Sequence, residues 1–173
     1  MQTFREIDPF ALDLRLFHLI RDEWMLVTAA REGRANPMTA SWGGLGMIWG
    51  KPAAFIFVRE SRYTHDFLDA SEGFSLTFFE ERYRPQLELC GERSGRELDK
   101  VEACGFTVQS ALGIPYFAES NLVMLCRKMA RQRIEPEGLY LPEVMAEFYA
   151  DGPGGGPDYH DLYIGEIQKV LSR

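Results

Sequence analysis

The sequence predicts a mainly β fold, a sheet closed on itself and covered by short helices. Three observations carry this. Many short segments are apolar or alternate apolar with polar residues, and they are rich in the residue types that suit strands. The helical segments between them are short. Strands and helices do not alternate as regular βαβ units.

Residues 8 to 20 hold Phe10, Leu12, Leu14, Leu16, Phe17, Leu19 and Ile20; Pro9 and the Leu16/Phe17/Ile20 spacing predict one or two short helices. Trp24 to Ala30 reads as a buried strand bounded by Asp22-Glu23 and a turn around Gly33. A second strand is expected from Met38 to Trp42, after an Asn36-Pro37 turn, and a third over Ala53 to Val58. Tyr63 to Ser71 reads as a helix, with Thr64 as N-cap and Asp66 in its first turn, where a carboxylate suits the helix dipole. Gly73 to Phe79 alternates through Phe74, Leu76 and Phe78, the pattern of a half-buried strand.

Glu80 to Leu89 is expected as a charged helix with Pro85 in its first turn. Glu97 to Cys104 forms another, ended by Gly105. Phe106 to Tyr116 reads as irregular. Ser120 to Arg131 is a long strand, Glu143 to Tyr149 a helix, and Tyr159 to Leu171 the final strand. Between the last two, Asp151 to Pro157 is a glycine- and proline-rich turn too short to link domains.

At 173 residues the chain is read as a single domain, residues 1–173. A chain of this size buries about 70% of its unfolded surface. No apolar run reaches the ~18 residues of a membrane span. Met1 to Glu6 shows no basic stretch followed by an apolar one, so no secretory leader is read. Cys90, Cys104 and Cys126 match no CxxC or zinc spacing. Their odd number points to reduced thiols and a cytoplasmic location. Each is read as a small packing residue, because a redox-active cysteine needs a partner or a basic setting that the sequence does not reveal. A net charge of -7 argues against a nucleic-acid surface.

The chemistry concentrates between residues 36 and 64. Asn36-Pro37-Met38-Thr39-Ala40-Ser41-Trp42-Gly43-Gly44-Leu45-Gly46 places two hydroxyls two residues apart, hence on one face of an extended chain. Arg59-Glu60-Ser61-Arg62-Tyr63-Thr64 then puts two arginines just before a helix start. Guanidinium groups, hydroxyls and free amides at a helix start are what a phosphate ester needs. The glycines do not spell GxGxxG, and no P-loop lysine follows, so no resident dinucleotide site of the Rossmann kind is indicated.

These two blocks resemble the flavin reductase-like family, the FMN-binding split-barrel proteins that include the flavoredoxins. Ser94-Gly95-Arg96 with Asp99-Lys100, Glu119 to Lys128, and Tyr159 to Ile167 match further blocks in the same order. The resemblance implies a Greek-key split β-barrel that binds FMN. It also implies a homodimer with the flavin site at the subunit interface.

On that reading Arg59, Arg62 and Thr64 serve the phosphate end, and Tyr63 stacks on or flanks the ring. Asn36, Met38, Thr39, Ala40, Ser41 and Trp42 serve the ring. Lys100, with Ser94 and Gly95 in the same turn, supplies the cation that favours reduced flavin. His160 is placed near a nicotinamide, and is the catalytic candidate. NADH or NADPH would bind transiently and pass hydride to the flavin, with a partner oxygenase or another acceptor downstream. A flavoredoxin-like electron carrier and a barrel that has lost its flavin are the alternatives.

Each residue also has a plainer reading. Arg59 and Arg62 would be solvated surface residues or pair with Glu60 and Asp66. Thr39 and Ser41 would bond local backbone. Lys100 would pair with Glu97 or Glu102, or simply be exposed. His160 would be a strand histidine at a subunit contact, and Trp42 and Tyr63 would be core aromatics.

Overall fold

The computed structural model describes residues 3–173; Met1 and Gln2, the start of the stretch read above for a leader, lie outside them. Ten strands and five α-helices follow in order. They are β1 Arg5–Ile7, α1 Leu16–His18, β2 Met25–Arg31, β3 Arg34–Ala40, β4 Gly43–Ile48, β5 Lys51–Arg59, α2 Tyr63–Ala70, β6 Gly73–Phe78, α3 Arg84–Glu92, α4 Lys100–Cys104, β7 Val108–Ala111, β8 Ile114–Phe117, β9 Leu122–Arg133, α5 Pro142–Phe148 and β10 His160–Ser172. Among the described residues no helix is long and apolar enough to cross a membrane.

The main sheet is antiparallel in every pair, in the order β3-β2-β6-β9-β10-β5-β4, with β1 added to the far half of β10. Its two end strands, β3 and β4, are joined by Ser41 and Trp42 alone. Strands that lie farthest apart in the sheet can be so briefly linked only if the sheet curls round to bring its edges together. The result is a barrel split between β3 and β4, as the sequence predicts. Its interior is filled by Met25, Val27, Ile56, Val58, Phe74, Leu76, Phe78, Met124 and Tyr163, all buried.

Three of the sharp turns share one construction. Glu32-Gly33, Trp49-Gly50 and Leu112-Gly113 each place two consecutive residues at positive φ (52° and 75°, 51° and 71°, 54° and 74°). That is the signature of the two-residue hairpin turn whose twist matches the strands it joins. The first of these turns corrects the expected Asn36-Pro37 turn. Both residues lie inside β3, opposite Ala29 and Thr28. Proline is tolerated there because β3 is an edge strand, where one side needs no backbone donor.

The irregular reading of Phe106 to Tyr116 is also corrected: β7 and β8 form a hairpin. This hairpin explains a second difference. All six residues of β6 are buried, not just one face. The Ser75 hydroxyl, on the face expected to meet water, donates to the Pro115 carbonyl at 2.6 Å. Ile114 and Tyr116 join Val123 and Leu125 of β9 in a second apolar layer there. The strand expected from Met38 to Trp42 ends at Ala40, and Gly43 to Ile48 forms a separate strand, β4.

The helices agree more closely. Residues 8 to 20 do hold short helical turns, Pro9–Ala11 and α1, followed by a π-helical turn at Leu19–Glu23. Pro85 sits in the first turn of α3. Helix α4 starts three residues later than expected, at an Asp99 cap whose carboxylate accepts from the Val101 and Glu102 amides. Gly105, at φ +66°, ends it in the left-handed conformation.

Candidate functional site

Pairing of β5 with β10 sets Arg59 directly opposite His160. The β3–β4 link runs past the same end of the barrel. A cleft of about 210 Å³ opens there, lined by Met38, Thr39, Ala40, Ser41, Trp42, Phe57, Arg59, Arg62 and His160. A second cleft of about 440 Å³ shares Met38, Arg59 and Arg62 with it and continues past Ser61, Tyr63, Thr64, Ser94, Gly95, Lys100 and Asp158. Thirteen of the fourteen residues singled out in the sequence line one cleft or the other. The exception is Asn36, buried behind the wall, whose amide nitrogen donates to the Thr64 hydroxyl at 2.7 Å.

That bond corrects the capping expectation. Helix α2 begins at Tyr63 as expected, but its N-cap is Arg62, two residues before Thr64, and no side chain caps it. Thr64 spends its hydroxyl on Asn36 instead. Tyr63 and Thr64, the first helical residues, form part of the cleft wall, so the free amides of the first turn sit at that wall. Asp66 stays in the first turn and pairs with Arg96 at 2.9 Å.

The arginines do not pair as their neighbours in sequence suggested. Arg59 donates to the Phe148 carbonyl at 2.8 Å and lies 3.8 Å from the buried Asp158 carboxylate. Asp158 also accepts from the Ser61 hydroxyl at 2.6 Å. Glu60 is taken by Arg133. Arg62 donates to the Gly91 carbonyl at 2.6 Å, and among the described residues no carboxylate lies within ion-pair distance of it. Burial, then the nearby Arg59 charge, lower the pKa of Arg62.

Lys100 is buried, in contrast to the expected pairing with Glu97 or Glu102. Its ammonium donates to the Pro37 carbonyl at 3.1 Å and the Cys90 carbonyl at 2.8 Å. A lysine has three donors, so one remains for the cleft. Burial is the main reason its pKa falls to about 8. Along the larger cleft Arg59, Arg62, Arg93 and Lys100 face only Glu92 and Asp158, a cationic balance on an acidic protein.

The hydroxyl pair divides. Thr39 donates its hydroxyl to the Leu87 carbonyl of α3, so it can offer a ligand only an acceptor or its backbone. Ser41 lines the smaller cleft in the β3–β4 link. His160 is buried beside the rings of Trp42, Phe57 and Tyr149, with Nδ1 3.0 Å from the Tyr149 hydroxyl. Burial, then Arg59, push its pKa down to about 4, so the imidazole is neutral near pH 7. Gly95 packs so closely on Asn36 that a Cβ there would lie 2.0 Å from the amide oxygen.

Asp158, Ser61 and Phe57 were missed in the sequence. An acidic residue after a glycine-rich turn gives no hint that it folds back onto an arginine 99 positions earlier.

The architecture is thus a split antiparallel barrel with a cationic cleft over an uncapped helix start at one end. The chain belongs to the family described as flavin reductase like domain, which matches residues 18–172. Flavoredoxin from Methanosarcina acetivorans shares the fold at a TM-score of 0.67 and 22% identity, over 87% of this chain and 68% of that one. The FMN-binding domain of a flavin reductases-like enzyme from Shewanella baltica OS155 gives 0.69 and 16%, over 98% and 77%. Nitrilotriacetate monooxygenase component B from Bacillus cereus gives 0.63 and 17%, over 85% and 67%. No curated protein sequence is significantly similar to this chain.

Proposed function

We propose that this protein binds FMN and works as a flavin-reductase-type oxidoreductase. One observation carries the reading: the start of α2 is left uncapped in a cleft where cations outnumber carboxylates. Unsatisfied amides at a helix start call for an acceptor, and a phosphate supplies charge as well. Arg62, with no ion-pair partner among the described residues, and the spare donor of Lys100 are suited to the phosphate and to the polar edge of the ring. The smaller cleft offers apolar surface from Trp42 and Phe57 beside the Ser41 hydroxyl, which suits a flat aromatic ring.

Bound FMN would accept hydride from NADH or NADPH and hand electrons to an acceptor. The chain's own part is to hold, shield and polarise. Lys100 supplies a positive charge in the wall, Arg59 is fixed by Asp158 and the Phe148 carbonyl, and neutral His160 offers one ring N–H and one acceptor nitrogen but no imidazolium proton near pH 7. That oxygenase components share the fold fits an oxygenase as acceptor.

Homodimerisation is part of the same reading. The edge strand β4 and the turn after it expose Met47 (57%) and Trp49 (63%), and Trp42 at the rim of the smaller cleft is 45% exposed. Burying this face against a second copy would shelter the ring site, and a cytoplasmic location would supply reduced nicotinamide.

The test is spectroscopic. Purified protein should carry a flavin spectrum or quench added FMN at one equivalent per chain. Stopped-flow mixing with NADH and NADPH should bleach the flavin. A colourless protein that leaves FMN fluorescence unchanged would overturn the reading.

A further inference from the structure

Two cysteines that look unrelated in the sequence meet in the fold. Cys90 lies near the end of α3 and Cys104 closes α4; their sulfurs are 3.7 Å apart. Cys90 is fully buried, whereas Cys104 is only half-buried and also lies 3.7 Å from the Gln86 carbonyl. The buried Lys100 ammonium rests on the Cys90 carbonyl at 2.8 Å. The partner and the basic setting that a reactive cysteine requires are therefore both present. Cys126 is different: it is buried in the barrel, and its thiol donates to the Met124 carbonyl at 3.9 Å.

We propose that Cys90 and Cys104 form a reversible dithiol–disulfide pair that exchanges with small-molecule disulfides. The two sulfurs play unequal parts. The hydrogen bond from Cys90, and then the Lys100 charge, favour the thiolate at Cys104, whose pKa is lowered. That same bond, together with burial, holds the proton on Cys90 and raises its pKa. Thiolate character and access thus coincide at Cys104, which makes it the attacking sulfur.

In the first step the Cys104 thiolate attacks one sulfur of an external disulfide. A mixed disulfide forms and one thiolate leaves. In the second step the Cys90 thiol gives its proton to that departing thiolate. Its sulfur then attacks Cys104, expelling the second thiolate and leaving the internal bond. Two cysteine thiols are oxidised, and one external disulfide is reduced to two thiols.

The bond would close a loop over residues 91–103. That loop carries Glu92, Arg93, Ser94, Gly95 and Lys100, all part of the larger cleft's wall. Oxidation would tie α3 to α4 across this wall.

The experiment treats the native, full-length protein with hydroxyethyl disulfide and counts free thiols after quenching and denaturation. The expected result is a fall from three thiols to one, with the loss of two hydrogens in mass, no retained adduct, a Cys90–Cys104 cross-linked peptide, and full recovery with dithiothreitol. Cys126 should stay free throughout, which reports that the barrel has not opened. In Cys90→Ser the reagent should remain attached to Cys104, and in Cys104→Ser the buried Cys90 should stay unmodified. Three surviving thiols, a stable adduct on wild-type Cys104, or reaction of Cys126 at the same rate would each overturn the proposal. The wild-type count decides the matter even if a variant fails to fold.

Discussion

Replacing Arg62 by alanine tests the phosphate end of the cleft. Its guanidinium has five N–H donors, and the structure commits one nitrogen to the Gly91 carbonyl at 2.6 Å. The remaining donors are free to meet an anion. A hydrogen bond to a charged group contributes about 1.5–3 kcal/mol, so FMN affinity should fall roughly 10- to 150-fold in Arg62→Ala. Arg62→Lys keeps the charge but loses the fork, and should fall between the two. The assay is fluorescence titration of flavin-free protein with FMN and, in parallel, with riboflavin, which has the same ring but no phosphate. Wild type should prefer FMN strongly, and Arg62→Ala should lose most of that preference while binding riboflavin as before. The thermal midpoint should move little, because Gly91 is half-exposed and water can replace the lost donor. Equal weakening of both ligands, or of neither, would refute the assignment of Arg62 to the phosphate.

FMN affinity should depend on pH through Lys100: with its pKa at about 8, the cation is present below that pH and lost above it, so binding should weaken as pH rises through 8 and become flat there in Lys100→Met, read by the same titration. Gly95→Ala forces the Asn36 amide off Thr64 or shifts the loop, since the new Cβ would lie 2.0 Å from the Asn36 oxygen; breaking that buried bond should cost about 1–3 kcal/mol in urea unfolding. Ser75→Ala removes the bond to Pro115 that joins β6 to the outer hairpin, and should cost about 1 kcal/mol in the same measurement without altering FMN affinity.

Strands and helices were legible where local pattern and tertiary role agree. The apolar run of β5, the proline-started α3 and the Gly105 stop of α4 are set by their own residues. The errors fall where another part of the chain decides. Asn36-Pro37 looks like a turn in isolation but lies in an edge strand, and β6 alternates like a half-exposed strand until the β7–β8 hairpin covers its outer face. The candidate site was legible as a set of residues, since all but Asn36 line the clefts. Their bonding was not. Thr39 to Leu87, Arg59 to Asp158, Cys90 to Cys104 and Lys100 to Pro37 each depend on a long-range approach that one-dimensional spacing does not encode.

Strand β10 is the hub of the sheet. β10 borders β5 and β9, and its final residues pair with β1, so that Arg5 faces Ser172 across almost the whole chain. A chain emerging from the ribosome must therefore wait for β10 before the two halves of the sheet can join. Until then β5 and β9 keep open edges, and premature termination anywhere before residue 160 would release a product prone to sticking to its own kind.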